Sequence, residues 1–103
     1  VRRSEFGSAM DRLLETYDFV VSPGTAIPAF EAGLEFPADG RYRRWTEWAA
    51  FNFPINLSQQ PACVIPCGAT PEGLPVSFQV IGARGADARV LSAAASLEVL
   101  FSR

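Results

Sequence analysis

The side-chain inventory of this 103-residue chain excludes two common forms of nucleophilic catalysis. All nine basic residues are arginines, and the sequence contains neither lysine nor histidine. A serine nucleophile needs a neighbouring base with a free lone pair, such as a histidine imidazole or a neutral lysine amine. The arginine guanidinium stays protonated at any accessible pH and has no lone pair to offer. A Ser–His or Ser–Lys centre is therefore excluded within this chain, while carboxylates stay available as bases.

The serines and cysteines also lack a sequence context that would make them reactive. No serine lies in a G-x-S-x-G motif or in a Gly/Ser-rich stretch. In a strand, Cys63 and Cys67 would lie about 13 Å apart at ~3.3 Å per residue, which is too far for a disulfide. A zinc site would need further ligands, for which only carboxylates remain. We predict no catalytic residue, no metal and no cofactor, and two free thiols typical of a cytoplasmic protein.

Composition and charge describe a globular chain without a nucleic-acid or membrane partner. Apolar residues make up 49% of the sequence, which suits a packed core. The net charge of −2 gives no attraction to phosphates or anionic lipids, and the apolar runs are too short to span a bilayer. The basic-aromatic run from Arg41 to Trp45 could stack on RNA bases. It stands alone on an acidic chain, so a solvated helix start is the favoured interpretation.

An ordered series of residues in the second half of the chain carries the most specific signal. The series consists of Asn56, Pro61, Ala62, Pro66, Gly68, Gly73, Leu74, Pro75, Val76, Gln79, Gly82 and Asp87. Weaker matches precede it at Tyr17-Asp18, at Ser22-Pro23 and in the W-x2-W-x2-F-x2-P-x-N pattern from Trp45 to Asn56. Together these residues resemble the closing segment of the amidase signature family, serine hydrolases that cleave carboxamides. The resemblance covers nearly the whole chain after about Leu13.

The resemblance implies a role for this chain as one part of a larger enzyme. The family uses two serines and a lysine, which lie upstream of the segment matched here. Residues 1–103 are then the C-terminal part of a single amidase domain, without its N-terminal and catalytic parts. The complete enzyme would convert a small-molecule carboxamide and water into a carboxylate and ammonia or an amine. We expect the chain to supply sheet strands and a wall of the substrate pocket, and to be inactive alone.

The same resemblance implies two substrate-binding residues before Asn56, and helical spacing adds a third. In the amidases that the chain resembles, the helix at this place faces the channel that takes the acyl part of the substrate. The matching positions are Ala49 and Phe53, which lie one turn apart and face the same side if the helix persists to Phe53. Trp45, one turn earlier, would extend this wall. A small residue beside large aromatic ones suits an apolar acyl group. The alternative is a helix that simply packs on the sheet.

Hydrophobic periodicity and turn residues predict an α/β fold, part of a mixed sheet packed between helices. About three strands, including a β-hairpin, and three helices are expected. The predicted elements are a helix over 4–16, a strand over 17–22, a long loop over 24–42, a helix over 44–53, strands over 61–67 and 74–81 around a turn at 70–73, and a helix from Asp87. A loop of this length is typical of a functional wall or lid. The apolar runs at 19–21 and 62–67 need cover on both faces, from upstream sequence or, alternatively, from a homodimer.

Four polar residues bear on the local structure. Asn56 and Gln79 lie in apolar surroundings, and buried amides usually satisfy backbone groups of neighbouring loops, so both are predicted to be structural. Gln59 stands where the family commonly has a glycine, and it lacks the freedom of glycine at positive φ, so the turn before Pro61 is expected to differ locally. Ser77 replaces another frequent glycine, at a place where helix and sheet are expected to approach closely.

Two alternatives stay open at the level of sequence. The chain could be a non-catalytic small domain that dimerises or binds a ligand, or a decayed remnant of an enzyme. It could also be the same segment of an A-type subunit of a glutamyl-tRNA amidotransferase. The W-x2-W-x2-F pattern is closer to the stand-alone amidases, and the chain offers no basic surface for tRNA.

Overall fold

The computed structural model of the chain describes residues 2–51 and 53–101. The helices are α1 (Arg2–Thr16), α2 (Phe53–Ser58) and α3 (Asp87–Phe101), and the strands are β1 (Val20–Pro23), β2 (Ala62–Ala69) and β3 (Pro75–Ile81). A single 3-10 turn spans Trp45–Glu47. The three strands form one antiparallel sheet in the order β1-β3-β2. The predicted α/β fold with a β-hairpin and three helices is confirmed.

The hairpin between β2 and β3 forms around the predicted turn. Thr70 N donates to Leu74 O over 2.8 Å, Gly73 N donates to Thr70 O over 2.9 Å, and Gly73 has a φ of 89°. Such a left-handed position favours glycine because a Cβ is disfavoured there. Strand β2 contains Pro66, whose missing N–H suits an edge strand, and the register shifts between Pro66 and Gly68.

Strand β3 separates two small apolar clusters. Ile81 packs with Met10 and Leu14 of α1. Val80 packs with Ile65 of β2 and Ala94 of α3. Consecutive side chains of a strand point to opposite faces. Helices α1 and α3 therefore cover opposite faces of the sheet.

The cover that the outer strands need is incomplete within residues 2–51 and 53–101. Ile65 is 1% exposed, but its neighbour Val64 is 52% exposed, and Val21 of β1 is 59% exposed. Helix α3 likewise buries Val90 and Ala94 but leaves Leu91 64% exposed. The outer strands stay partly exposed because α3 packs on one face of β2 and β3, while the opposite face of β2 has little cover from α1. Which sequence covers the open face stays a prediction.

The predicted helix over 44–53 is wrong. The chain forms the short 3-10 turn, continues in turns to Phe51, and begins α2 at Phe53. Pro54 does not end a helix here but occupies its first turn, where an N–H has no helical partner and the fixed φ of proline is favourable. Asn56, expected in apolar surroundings, lies exposed on α2.

The two departures from glycine have different structural settings. Gln59 ends α2 with a φ of 64°, and its N–H donates to Ile55 O over 2.8 Å. It therefore adopts the left-handed conformation despite its side chain. Ser77 was expected where a helix approaches the sheet. It lies instead beside Gly24, whose N–H donates to Ser77 O over 3.0 Å.

Gly82 allows α3 to approach the end of β3, so Gly82→Ala is expected to destabilise the chain. An added Cβ would collide with Val90 Cγ2, and Val90 is 2% exposed. Overpacking of this kind costs about 1–3 kcal/mol of unfolding free energy. Urea denaturation should show this loss when Gly82→Ala is introduced into the wild-type chain. The loss should be smaller when Gly82→Ala is introduced into a chain that already carries Val90→Ala. Gly68→Ala is the control, since a Cβ there meets nothing within 4 Å; equal losses at both glycines would contradict the close approach.

Gln59→Gly is expected to stabilise the chain. The left-handed backbone costs a residue with a Cβ about 1–2 kcal/mol, which glycine avoids, although glycine loses more entropy on folding. We expect the free energy of unfolding, measured by urea denaturation, to rise by about 0.5–1 kcal/mol. Gln59→Ala keeps the Cβ and should give no gain. A gain of equal size in the alanine variant would show that the glutamine side chain, not φ, causes the strain.

Candidate functional site

The three residues predicted to bind substrate lie on different local structures. Trp45 is in the 3-10 turn and 48% exposed, whereas Ala49 is in the following turn and 5% exposed. Phe53 begins α2, and its side chain lies outside the described part of the structure. No continuous helix runs from Trp45 to Phe53. The prediction that Trp45, Ala49 and Phe53 follow one another at intervals of one helical turn is therefore wrong. Their role in substrate binding stays a prediction.

Trp45 has polar surroundings. It borders a shallow hollow of about 290 Å³ together with Glu35, Arg43, Arg44 and Thr46. Buried Ala49 and half-exposed Trp45 thus lie in different surroundings within the described residues. An apolar concave surface lies beside Trp48.

A cleft of about 400 Å³ opens between the long loop, Trp48 and the start of β3. The residues that line it share an uncharged character: Thr25, Ile27, Pro28, Ala29, Phe30, Trp48 and Pro75. A smaller hollow of about 110 Å³ continues from it and shares Thr25, Ile27, Pro28 and Pro75. The loop after β1 therefore forms a wall, as its length predicted, and its function stays a prediction.

Sequence reasoning did not select Phe30 or Trp48 for this site. Their rings meet edge-on, with centroids 5.5 Å apart and an interplanar angle of 73°. The indole Nε1 of Trp48 donates to Glu35 O over 2.9 Å. The prolines of the loop and the repeated tryptophan spacing were the available signals, but the pairing of Trp48 with a residue 18 positions earlier has no local pattern.

The lining of the cleft is uncharged and offers few polar groups. Thr25 supplies the hydroxyl group among its lining side chains, and this hydroxyl donates to Ile27 O over 2.9 Å. Uncharged lining residues suit an apolar group and provide no general base. Within residues 2–51 and 53–101, no group of three or more His, Cys, Asp or Glu residues could hold a metal ion.

Gln79 connects the sheet to the turn that carries Ala49. Its side chain is buried, and Nε2 donates to Phe51 O over 2.9 Å and to Ser22 Oγ over 3.2 Å. The predicted structural role, in which the amide satisfies the backbone of a neighbouring loop, is confirmed. Through this contact the sheet fixes the position of the segment from Trp48 to Phe51.

Two charged groups of the loop, Asp39 and Arg41, form a local ion pair. Arg41 Nη2 lies 2.7 Å from Asp39 Oδ2, and the Arg41 guanidinium lies 5.3 Å from the centroid of the Tyr42 ring. The hydrogen bonds from Arg41 hold the pKa of Asp39 below its ordinary value, and Asp39 raises the pKa of Arg41 in turn. Arg41 is thus engaged within the loop, and both groups are exposed, so screening by water limits the strength of the pair.

Comparison with known sequences identifies a family over most of the chain. A sequence model described as Amidase matches residues 1–91. The A-type subunit of glutamyl-tRNA(Gln) amidotransferase from Oceanobacillus iheyensis is 40% identical over 72 residues, which are 70% of this chain and 14% of that protein. An acylamidase from Rhodococcus erythropolis is 29% identical over 107 residues, covering 95% of this chain and 21% of that protein.

Comparison with solved structures agrees with the sequence match. The structure of 6-aminohexanoate cyclic dimer hydrolase superposes with a TM-score of 0.79 and 27% identity, covering 96% of this chain and 23% of that one. The chain therefore spans about a fifth of the length of the proteins it matches. No helix in the described ranges is long and apolar enough to cross a membrane.

Replacing the buried Gln79 amide should destabilise the chain and release the turn that carries Ala49. Gln79→Leu leaves Phe51 O and Ser22 Oγ without this donor, and an unsatisfied buried polar group costs about 1–3 kcal/mol. Urea denaturation measures the loss, and hydrogen exchange of the amides at residues 48–51 measures the release. Ser22→Ala removes one acceptor and should have a smaller effect. Unchanged exchange in Gln79→Leu would contradict the proposed fixing of the turn.

Proposed function

The chain belongs to the Amidase family, and from this premise we propose that it forms the C-terminal part of a single carboxamide hydrolase domain. The observation that carries the proposal is the family match over residues 1–91 in a sequence without lysine or histidine. A family of serine hydrolases needs a base that this chain does not contain. The nucleophile and its base then belong to other parts of the enzyme, and this chain supplies strands and a pocket wall.

The proposed reaction is hydrolysis of a small-molecule carboxamide. A serine outside the chain attacks the amide carbonyl, ammonia or an amine leaves, and water releases the carboxylate from the acyl-serine. Donors preorganised around the carbonyl oxygen stabilise the tetrahedral intermediate. The relatives named acylamidase and cyclic dimer hydrolase support this substrate class. No cofactor is required for these steps.

In this proposal the residues of the chain hold the acyl side of the substrate. Ala49 and Phe53 are proposed substrate-wall residues by their match to the family positions, and Trp45 is proposed to extend this wall. The bond from Gln79 to Phe51 O, which fixes the turn beside Ala49, supports a defined wall at this place. Both cysteines are free, which supports a location in the reducing cytoplasm.

A second candidate is the corresponding segment of a glutamyl-tRNA amidotransferase subunit. The 40% identity over 72 residues to one such subunit is consistent with this candidate but does not favour it over the amidase. Under this hypothesis the complete polypeptide releases ammonia from glutamine only together with partner subunits. Ammonia release from simple carboxamides by the complete polypeptide alone would favour the stand-alone amidase.

The test of the proposal compares the 103-residue chain with the complete polypeptide that carries it. We expect no ammonia release from acetamide or phenylacetamide by the chain, because it has neither a lysine nor a histidine to activate a serine. The complete polypeptide should hydrolyse at least one of them, and a serine-directed fluorophosphonate should abolish the reaction. Turnover by the 103-residue chain that fluorophosphonate blocks would overturn the proposal.

Enlarging Ala49 should shift the preference of the complete enzyme toward small acyl groups. One extra methylene in an apolar pocket changes specificity by about 10–200-fold, so Ala49→Val should lower kcat/KM for phenylacetamide at least tenfold relative to acetamide. The ratio is used because Ala49 is buried and overpacking lowers the amount of folded enzyme for both substrates. Ala50→Val is the matched control at the neighbouring exposed position. An unchanged ratio in Ala49→Val would remove Ala49 from the substrate wall.

A further inference from the structure

Trp48 contacts the loop after β1 at two positions, one of which lines the apolar cleft. Its indole Nε1 donates to Glu35 O, and its ring meets Phe30 edge-on. Phe30 and Trp48 both line the cleft of about 400 Å³. Trp48 also lies in the turn that Gln79 fixes to the sheet at Phe51. The rigid sheet therefore positions Trp48, and Trp48 positions the loop.

The other described side-chain hydrogen bonds of residues 25–44 are local. Thr25 bonds to Ile27, and Arg41 bonds to Asp39, two positions away in each case. The N–H of Arg43 donates to a carboxylate four positions away. The bond from Trp48 spans thirteen positions. A segment without helix or strand depends on such long-range contacts for its position, so loss of this bond should loosen the cleft before it affects the sheet.

We infer that Trp48 is a positioning residue that gives the enzyme its preference for amides with an aromatic acyl group, an inference that rests on the proposed function. The cleft has no charged lining residue, and the Thr25 hydroxyl is already bonded to Ile27 O. A neutral apolar group therefore has the smallest desolvation cost when it moves from water into this cleft. The two edge-to-face rings extend an aromatic surface on which a further ring packs favourably. The charged α-amino and α-carboxylate groups of free glutamine would find no partner there.

The test uses the complete polypeptide with Trp48→Phe, Trp48→Leu and the control Leu34→Ala. Trp48→Phe keeps an aromatic ring against Phe30 but has no N–H for Glu35 O, and Trp48→Leu loses both contacts. Leu34 lies on the same loop, is 41% exposed and does not line the cleft. Steady-state kinetics with phenylacetamide and acetamide are measured, with hydrogen exchange at residues 27–35. Direct binding of phenylacetamide is measured by calorimetry on the complete polypeptide with its nucleophilic serine, which lies outside this chain, replaced by alanine, or on the unmodified polypeptide if it hydrolyses no amide.

We expect Trp48→Phe to raise KM for phenylacetamide by roughly fivefold to tenfold, the effect of one lost hydrogen bond. Its kcat and its KM for acetamide should stay within about twofold of wild type. Exchange at residues 27–35 should accelerate by a similar factor, and Trp48→Leu should show larger effects of the same kind. A purely structural role would lower activity toward both amides together and leave both KM values unchanged, which would overturn the inference.

Failure of the inference is distinguishable from failure of the proposed function. Absence of amide hydrolysis by the wild-type enzyme would refute the function, while the calorimetric arm would still test the cleft. Tight phenylacetamide binding that weakens in Trp48→Phe supports the cleft in either case. Equal binding in wild type and both variants would mean that other parts of the polypeptide cover the cleft, and would overturn the inference.

Discussion

The structure depends on the placement of three consecutive buried residues in the central strand β3. Gln79, Val80 and Ile81 are 5%, 0% and 2% exposed, and each contacts a different part of the chain. Ile81 packs on α1, Val80 packs on α3 through Ala94, and Gln79 holds the turn at Phe51. The alternation of side chains along a strand turns these neighbours in sequence toward opposite faces. A shift of the register by one residue would exchange the apolar contacts for the polar one, so the sheet register and the loop position are fixed together.

The same arrangement explains why the two faces of the sheet differ in character. The face with Val80 is closed by α3 with apolar contacts, and Gly82 permits this close approach. The face with Ile81 is closed by α1 only at one end of β3, and farther along it offers Gln79 and Ser22 to the irregular segment. The hydrogen bond between Gln79 and Ser22 thus lies on the part of this face that α1 does not cover. The apolar cleft forms beyond it, at the start of β3, where the loop after β1 passes Pro75.

Sequence patterns predict the elements that local chemistry determines, and miss those that depend on distant contacts. Alternation and the Thr70–Gly73 turn predict the hairpin, and helical spacing predicts α1 and α3. The helix over 44–53 is wrong because a proline such as Pro54 can end a helix and also fits the first turn of one. The apolar spacing of Trp45, Trp48 and Ala49 does not decide between helix and turn. The cleft could not be predicted, because Phe30 and Trp48 meet through the path of a loop that has no periodicity.

A wall for an acyl group and a proton-transferring centre need opposite surroundings, and this separates their residues in the proposed enzyme. An acyl wall works by excluding water from apolar surface, so a charge on it would be costly to desolvate. A lysine base needs neighbours that lower its pKa and orient its lone pair. A chain whose basic residues are all arginines can form an acyl wall, but it cannot supply the lysine of a proton-transferring centre. Its ion pairs, such as Arg41 with Asp39, lie at exposed positions away from the cleft, where they stay solvated. The composition and the geometry therefore both support the proposal that this part positions the substrate while the reacting groups come from elsewhere in the enzyme.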